Sequence, residues 1–490
     1  MSDRRSPATP DPALAAVHAA LDADSSAAAG TAFAALVADY LAATAARAEP
    51  VFTAHTPAEL AARFDEPLPE DGRPLADVLA RVARDILPDC NRLMDPRYMG
   101  HQVSAPLPAA IWAEALTGAL NQSGAVWEMS PVGTVIETQV IRWMSDLAGL
   151  GPDAGGTFTS GGTEATFAGL LAARHAVCPD AWRRGVGDEP PVVVCGEHAH
   201  YGVARAVGEL GIGTDNIVSI PSGPLAMNVD ALERELVALG SAGRRVMAVV
   251  ATAGSTATGT FDDLVAIGRL CDQRGLWLHI DGAHGASALL SARHRHRLDG
   301  IQRARSVAWD PHKMMLMPLS ASVVLVRHEQ DLESAFSQRA PYLFHAGNGS
   351  RNWDQGLRTF QCSRRIDAFK VWIALQRYGA EAIGALYDQL CDTAAALHEM
   401  LSARPDFETF HEPESNILCF RYVGTGSWPA AELDARNLDL RAAYNQSGQG
   451  WITTTVLNGR RVLRVTLMNP RTTTADLQAL IDGLAGFGRR

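Results

Sequence analysis

Between residues 155 and 326, short apolar runs alternate with segments of helical periodicity, and this alternation constrains the fold more than any other feature. The clearest runs are VVVC, MAVVAT, LWLHID and SVAWD, while PLSASVVLVRH is typical of a strand that returns beside the last of them. Compact apolar runs separated by helices are the pattern of a parallel sheet flanked by helices. The sequence therefore predicts an α/β fold with a mostly parallel sheet.

The regions on either side of this centre differ from it. Residues 1–90 show helical patterns whose apolar faces are too broad for a free-standing pair, so we expect them to pack on another domain or another subunit. Residues 91–369 are predicted to form a large domain around the sheet. Residues 370–490 begin with a long helix and then alternate strands such as NILCFRYV with helices, which predicts a smaller α+β domain.

Five polar motifs follow the apolar runs of the central region: SGGTEA, EHAHYG, TAGST, DGAHG and DPHK. In open α/β sheets, ligands bind at the carboxyl ends of the strands. Because parallel strands end at the same edge of a sheet, we expect the five motifs to meet at one site. Each motif alone is a weak signal, and their shared position carries the prediction.

Lysine is rare in this chain. Lysine and arginine together number 43, yet only Lys313 and Lys370 are lysines. A lysine amine can lose its proton and form a Schiff base, whereas an arginine guanidinium stays charged. Lys313, which follows a strand-like run in DPHK, is therefore the candidate for amine chemistry. Lys370 lies in the amphipathic pattern RRIDAFKVWIALQRYG, and we interpret it as an ordinary surface cation.

Two motifs suit a phosphorylated ring. Gly162 and Thr163 stand in a glycine turn before a helix, where N–H groups favour an anion; a plain turn capped by Thr163 is the alternative. Asp281 ends an apolar strand, where a carboxylate is costly unless it is paired. It either keeps a heterocyclic nitrogen protonated or caps the next turn. Ala283 is small enough for a flat ring to lie beside it.

The histidines allow two interpretations. His198, His200, His279 and His284 suggest a metal site, but their spacing matches no compact zinc motif and we expect no metal. We interpret His200 as a ring that stacks on a flat cofactor, with a core histidine as the alternative. A phosphate cradle, a carboxylate for a ring nitrogen, a stacking imidazole and a single amine together indicate pyridoxal 5'-phosphate.

Composition argues against several classes of partner. The net charge is −11 and no basic block occurs, so we expect no nucleic acid partner. We expect no membrane partner either, because no apolar run is predicted to be of transmembrane length and the N-terminus does not resemble a secretory signal. The seven cysteines are scattered and form no CxxC motif, which favours a reducing cytoplasm.

The motifs HIDGAH and DPHK at this separation resemble those of the pyridoxal-phosphate-dependent group II amino acid decarboxylases. That family includes glutamate, cysteine sulfinate, aspartate, diaminobutyrate and aromatic amino acid decarboxylases. The resemblance runs from about residue 95 to the C-terminus and implies an aspartate-aminotransferase-type fold (PLP fold type I). It also implies a homodimer with the active site at the interface and with the N-terminal helices swapped over the partner.

The resemblance assigns roles by position. Lys313 would form the Schiff base with the cofactor, and Asp281 would pair with the ring nitrogen. His200 would stack on the ring, with Ala283 on its opposite face. The remaining cofactor contacts would come from Gly162, Thr163, Thr256 and His312.

Two positions of the resemblance bear on the reaction itself. Tyr342 matches a loop tyrosine that protonates the substrate carbon after CO2 leaves, so it favours plain decarboxylation over oxidative deamination to an aldehyde. The family often has Asn, or Asp followed by Ala, where this chain has Asp310 and Pro311. That difference removes no reacting group.

The substrate is indicated less directly. Gln102 and Ser104 match a Gln-x-Ser that faces the distal carboxylate in glutamate decarboxylase-like members, and Arg464 matches an arginine for the substrate carboxylate. We favour an acidic substrate: aspartate, glutamate or cysteine sulfinate. The motif ALNQS resembles diaminobutyrate decarboxylases, so diaminobutyrate or another basic amino acid is one alternative. An aromatic amino acid is another. An aminotransferase or aldehyde synthase on the same fold, a metal hydrolase and an inactive scaffold are the competing classes.

Overall fold

The computed structural model describes residues 12–223, 225–336 and 353–489. The chain divides into two compact units, one formed by residues 1–98 with 442–451 and the other by residues 99–441 with 452–490. The domain limits predicted from the sequence, after residues 90 and 369, stay predictions.

The first unit is helical, as predicted for this part of the chain. Its helices are α1 (Pro12–Asp24), α2 (Ala27–Ala45), α3 (Pro57–Phe64) and α4 (Leu75–Arg81). α3 begins at a capping box, in which the side chains of Thr56 and Glu59 each accept a hydrogen bond from the other residue's backbone N–H.

One described helix, α2, has the length and composition of a membrane span, with a mean hydropathy of 1.3. The expectation that no apolar run reaches this length is therefore wrong for α2. The helix is rich in alanine, which counts as apolar but buries little surface per residue, and Asp39 interrupts it. Length and composition alone do not indicate a membrane, so the absence of a membrane partner stays a prediction.

A seven-stranded sheet in the order β1-β7-β6-β5-β4-β2-β3 forms the centre of the second unit. Its strands are β1 (Gly155–Thr159), β2 (Val192–Gly196), β3 (Ile217–Ile220), β4 (Val246–Thr252), β5 (Trp277–Asp281), β6 (Ser306–Trp309) and β7 (Ser322–Val326). β7 runs antiparallel to both of its neighbours, and the other pairs are parallel. The mostly parallel sheet and its returning strand are thus confirmed.

Both faces of this sheet are buried, which explains the uninterrupted apolar runs. On β2, Val192 and Val194 belong to one core cluster, while Val193 and Cys195 belong to another. The helices of this region are α5 (Pro108–Leu120), α6 (Pro131–Leu147), α7 (Gly162–Val177), α8 (Ala181–Arg184), α9 (Gly202–Glu209), α10 (Val229–Ser241), α11 (Leu264–Arg274), α12 (Gln330–Ala335), α13 (Ala368–Tyr378) and α14 (Ala380–Ser402).

A smaller antiparallel sheet in the order β10-β11-β9-β8 follows along the chain. Its strands are β8 (Phe407–Thr409), β9 (Ile417–Tyr422), β10 (Thr453–Leu457) and β11 (Arg460–Thr466), and the helices between and after them are α15 (Ala430–Gln446) and α16 (Thr474–Gly488). The alternation of strands and helices predicted after residue 370 is confirmed.

Lys370 does not lie on the surface, and that part of the sequence interpretation is wrong. The residue is in α13 as expected, but it is only 1% exposed. Its ammonium forms ion pairs with Asp367, at 3.0 Å, and with Glu114 of α5. The helical periodicity did not show that α5 packs on α13 and brings a carboxylate to the lysine.

Candidate active site

The carboxyl ends of the parallel strands surround a cavity of about 160 Å³, to which all five polar motifs contribute. The cavity brings together every residue predicted to contact the cofactor: Gly162, Thr163, His200, Thr256, Asp281, Ala283, His312 and Lys313. Four further lining residues had no predicted role: Gly161, Thr252, Gly254 and Asp310. A fifth, His284, was considered only as a metal ligand. The placement is a finding, while the individual roles stay predictions.

The register of the strands places the motifs side by side. Thr252 at the end of β4 pairs with Asp281 at the end of β5, and Asp281 pairs with Ala308 of β6. β1 runs in the same direction as β6, because β7 is antiparallel to both. The turn after β1 therefore lies at the same edge as the turn that carries Lys313.

The glycine turn after β1 has no room for a side chain at Gly162. A Cβ atom built there would lie 2.8 Å from the Cβ of Ala283 and 2.9 Å from a carboxylate oxygen of Asp310. α7 begins at this residue, so the positive end of its dipole lies at the cavity. Bare backbone at a helix N-terminus is a common site for a phosphate group.

Asp281 is a buried carboxylate at the end of β5. One of its oxygens accepts a hydrogen bond from the backbone N–H of Ala283 at 3.2 Å. Burial raises the pKa of Asp281, although the nearby Lys313 and His200 oppose this shift. A carboxylate in such a place gains from a protonated partner more than an exposed one does. A protonated ring nitrogen would be such a partner.

His200 is a neutral, oriented ring at the cavity wall. Its Nδ1 accepts a hydrogen bond from the N–H of Gly202 at 3.1 Å, which leaves the proton on Nε2. Burial lowers the pKa of His200, and Asp281 opposes this only in part. The centroid of the ring is 4.1 Å from that of Tyr201. An uncharged ring in a fixed orientation is suited to stacking on a flat cofactor.

The amine of Lys313 forms an ion pair with a residue that had no predicted role. Its Nζ lies 2.9 Å from Oδ2 of Asp310, and Nε2 of His312 lies 3.5 Å from the same oxygen. Ser322 donates a hydrogen bond to the other oxygen of Asp310. Burial alone would raise the pKa of Asp310, but Lys313, His312 and Ser322 together lower it. Asp310 is therefore a buried anion beside the lysine.

Two of the histidines considered for a metal site form other contacts. His279 is fully buried and its Nδ1 lies 2.8 Å from the hydroxyl of Ser306, while Nε2 of His284 lies 2.7 Å from Oδ1 of Asn416. Burial lowers the pKa of each to about 3, so both are neutral. The amide nitrogen of Asn416 donates to the carbonyl of Leu467, which identifies Nε2 of His284 as the donor.

Two of the residues predicted to bind the substrate lie in the segment before α5. The hydroxyl of Ser104 donates to the carbonyl oxygens of His312, at 3.0 Å, and Met317, at 3.2 Å. Its single hydrogen is therefore already shared between backbone acceptors. Within the described part of the chain, Nε2 of Gln102 is buried and has no hydrogen-bond partner.

Arg464 and Tyr342 are the other two residues predicted to contact the substrate. Arg464 lies on β11 with only 6% of its surface exposed, and its Nε donates to the carbonyl oxygen of Ala257 at 3.1 Å. Ala257 follows Thr256, which lines the cavity. Tyr342 lies outside the described residues, so its role stays a prediction.

Comparison with known proteins identifies the same chemistry. The family described as "Pyridoxal-dependent decarboxylase conserved domain" matches residues 57–423. The L-2,4-diaminobutyrate decarboxylase of Rhizobium meliloti is 34% identical over 426 residues, 86% of this chain and 84% of that protein. The human cysteine sulfinic acid decarboxylase is 33% identical over 371 residues, 75% of each. A crystal structure of mouse CSAD gives a TM-score of 0.89 at 29% identity and covers 98% of this chain and 99% of that one.

These similarities agree with the geometry of the cavity. The expected aspartate-aminotransferase-type fold is confirmed, because the match to the mouse structure extends over nearly the whole chain. The cavity fits pyridoxal 5'-phosphate: it offers one lysine amine, a buried carboxylate and a helix N-terminus where a Cβ would not fit. The chain belongs to the pyridoxal-dependent decarboxylase family and is an amino acid decarboxylase that uses pyridoxal phosphate.

Proposed function

We propose that the substrate is an acidic L-amino acid (aspartate, glutamate or cysteine sulfinate) from which the enzyme removes the α-carboxylate to give CO2 and the amine. The observation that carries this substrate class is the buried amide of Gln102, whose Nε2 has no partner among the described residues. A buried donor without an acceptor costs about 1–3 kcal/mol. A carboxylate or sulfinate oxygen on the substrate side chain would accept this hydrogen bond, whereas an ammonium group cannot.

The second substrate contact in this proposal is Arg464. Its guanidinium is buried on β11 and donates a hydrogen bond to the carbonyl of Ala257, the residue that follows Thr256 of the cavity. A buried guanidinium favours an anionic ligand, because hydrogen bonds between charged groups are stronger than those between neutral ones. We assign Arg464 to the α-carboxylate. Ser104 is the weaker candidate for a side-chain contact, since its hydroxyl hydrogen already binds two carbonyls.

Each residue of the cavity is assigned a separate role in binding or activating the cofactor. When bound, pyridoxal phosphate supplies an electron sink for the electron pair that decarboxylation leaves on the substrate carbon. Asp281 holds a proton at the ring nitrogen, and Lys313 holds the cofactor between turnovers. His200 and Ala283 would contact the two faces of the ring, with Thr256 beside it. Gly162, Thr163 and His312 would hold the phosphate.

The final proton is assigned to Tyr342. A tyrosine hydroxyl that reaches the substrate carbon returns a proton to it and so completes plain decarboxylation. This assignment comes from the position of Tyr342 in the sequence.

A second candidate substrate is L-2,4-diaminobutyrate. It is favoured by the 34% identity to the Rhizobium meliloti enzyme, which is close to the 33% identity to the human cysteine sulfinic acid decarboxylase. A side-chain ammonium needs acceptor atoms, whereas the unpaired atom of Gln102 among the described residues is the donor Nε2.

We also propose that the enzyme is a homodimer. On α5, Trp112, Leu116 and Leu120 are 44%, 48% and 45% exposed and are spaced four residues apart, so they form one apolar stripe. On α6, Val132 and Val135 are exposed as well. Apolar surface of this extent supports a contact with a second copy of the chain. The proposal includes an active site at that interface and the swapped helices of residues 1–90.

A cytoplasmic location is part of the proposal. All seven cysteines, which lie within the described residues, are free thiols. Free thiols throughout a chain are typical of a reducing compartment.

A panel of L-amino acids scored for CO2 release tests the substrate class. We expect an acidic amino acid to give the highest kcat/KM. Gln102→Ala should raise the KM for that substrate about tenfold with a smaller change in kcat, as the loss of a hydrogen bond to a charged group predicts. Gln273→Ala, which changes an exposed glutamine on α11, is the control. Preference for diaminobutyrate, with Gln102→Ala neutral, would reject the acidic assignment.

A further inference from the structure

The ion pair between Lys313 and Asp310 has a geometry that points beyond the roles assigned so far. The two residues are three positions apart in a tight turn, in which the N–H of Lys313 also donates to the carbonyl of Asp310 at 3.0 Å. The carboxylate is 1% exposed, so water does not screen the pair as it would at the surface. A buried carboxylate therefore attracts the neighbouring amine more strongly than an exposed carboxylate would.

The surroundings hold Asp310 in one orientation. Ser322 of β7 donates to one carboxylate oxygen and leaves the other for the lysine. The backbone N–H of Asp310 donates to the carbonyl of Ala283, and Gly162 packs directly against the carboxylate. Contacts from three parts of the sheet edge therefore fix an anion whose free oxygen faces the amine.

We infer that Asp310 is a positioning residue that holds the amine of Lys313 as a paired ammonium whenever this amine is not bonded to the cofactor. The inference rests on the proposed role of Lys313. The pairing keeps the amine at the cavity wall, and the amine would have to leave Asp310 and release its proton to water before it could bond to the cofactor. When the amine leaves, Nε2 of His312, which lies 3.5 Å from the same carboxylate oxygen, remains within reach of it.

The test uses the full-length enzyme freed of its cofactor. The protein is mixed in separate experiments with pyridoxal phosphate and with pyridoxal, which lacks the phosphate. The Schiff base with lysine absorbs visible light, and the increase in this absorbance over time gives the rate of capture. Borohydride then reduces the C=N bond to a stable amine, and peptide mass spectrometry shows which lysine carries the modification. The chain helps here, because it contains only two lysines.

Asp310→Asn should accelerate the capture of pyridoxal at Lys313 about tenfold, since the neutral amide cannot form the 2.9 Å ion pair that the amine has to break before it reacts. Pyridoxal has no phosphate, so this gain does not come from removing a negative charge beside the phosphate site. Asp310→Ser is a second neutral variant in case the first does not fold. Asp367→Asn is the matched control: it removes the carboxylate beside the other lysine and should leave capture at Lys313 unchanged.

Capture that is equally fast or slower in both Asp310 variants would overturn the inference. So would an equal acceleration in Asp367→Asn. If the unaltered enzyme does not capture pyridoxal phosphate at Lys313, the proposed role of the lysine fails instead. If it captures the cofactor there but releases CO2 from no acidic amino acid, only the substrate assignment fails.

Discussion

The hydroxyl of Ser104 donates a hydrogen bond to the carbonyl oxygen of His312 at 3.0 Å, across 208 residues of sequence. The same hydroxyl donates to the carbonyl of Met317 on the far side of Lys313. The turn that contains Lys313 is therefore hydrogen-bonded, before and after the lysine, to the segment before α5. Ser104 thus has a structural role in addition to its predicted contact with the substrate, which stays a prediction.

Ser104→Ala should loosen this turn. Two buried carbonyls would lose their donor, so we expect the free energy of unfolding to fall by about 1–3 kcal/mol. We also expect weaker retention of pyridoxal phosphate, with little change in the KM for the amino acid. Urea unfolding and cofactor titration measure the two effects, with Ser402→Ala on the exposed end of α14 as the control. A raised KM with unchanged stability would instead support a direct substrate contact.

The buried His279 should make the protein less stable in mild acid. Its pKa is lowered from 6.5 to about 3, so the unfolded chain binds a proton that the folded chain does not. Stability is thus fully present above pH 6.5 and falls as the pH drops from there towards 3, by about 1.4 kcal/mol per pH unit. His279→Gln should flatten the pH profile of urea unfolding by that slope, whereas exposed His296→Gln should not. Identical slopes for all three proteins would contradict the assignment.

Lys370→Met should destabilise the fold far more than its position in an amphipathic helix suggests. The change leaves the carboxylates of Glu114 and Asp367 without their buried cation. Because both carboxylates are partly exposed, we expect a loss at the lower end for buried pairs, about 3 kcal/mol. Arg365→Met removes an exposed partner of the same Glu114 and should cost about 1 kcal/mol or less. Equal losses in thermal or urea unfolding would show that burial of Lys370 does not matter.

Leu116→Glu places a charge in the middle of the apolar stripe of α5. If this stripe contacts a second copy of the chain, the variant should sediment as a monomer and lose activity, since burying an unpaired charge is costly. Leu438→Glu changes an equally apolar residue of similar exposure on α15 and should remain a dimer. If Leu116→Glu remains a dimer, the interface does not include the apolar stripe of α5.

Tyr342→Phe should change the product. Without the hydroxyl that returns a proton to the substrate carbon, we expect the amine to give way to an aldehyde with uptake of oxygen. An oxygen electrode combined with product analysis measures both. An unchanged yield of amine without oxygen uptake would assign the proton to another group.

The sequence predicted the sheet and the residues that line the cavity well, because both depend on local patterns. Runs such as MAVVAT are apolar throughout since both faces of β4 are buried, and the polar residue after each run marks the edge of a parallel sheet. Lys313, Asp281 and His200 could therefore be named before their distances were known.

The features that the sequence did not predict are contacts between distant segments. The pairing of Asp310 with Lys313 depends on how the turn folds and on Ser322 of β7, which the motif DPHK does not contain. The burial of Lys370 depends on α5, more than two hundred residues earlier in the chain. Periodicity shows which face of a helix is apolar, but it does not show which polar residue on that helix another helix will cover.

The central claim is that Lys313 supplies the amine for a decarboxylation that depends on pyridoxal phosphate, and one measurement tests it most directly. Release of CO2 from the preferred amino acid is compared between the unaltered enzyme and Lys313→Arg, each saturated with pyridoxal phosphate. We predict one amine per CO2 from the unaltered enzyme. Lys313→Arg keeps the positive charge but cannot bond to the cofactor, so we predict no turnover. Sustained CO2 release by Lys313→Arg would contradict the account.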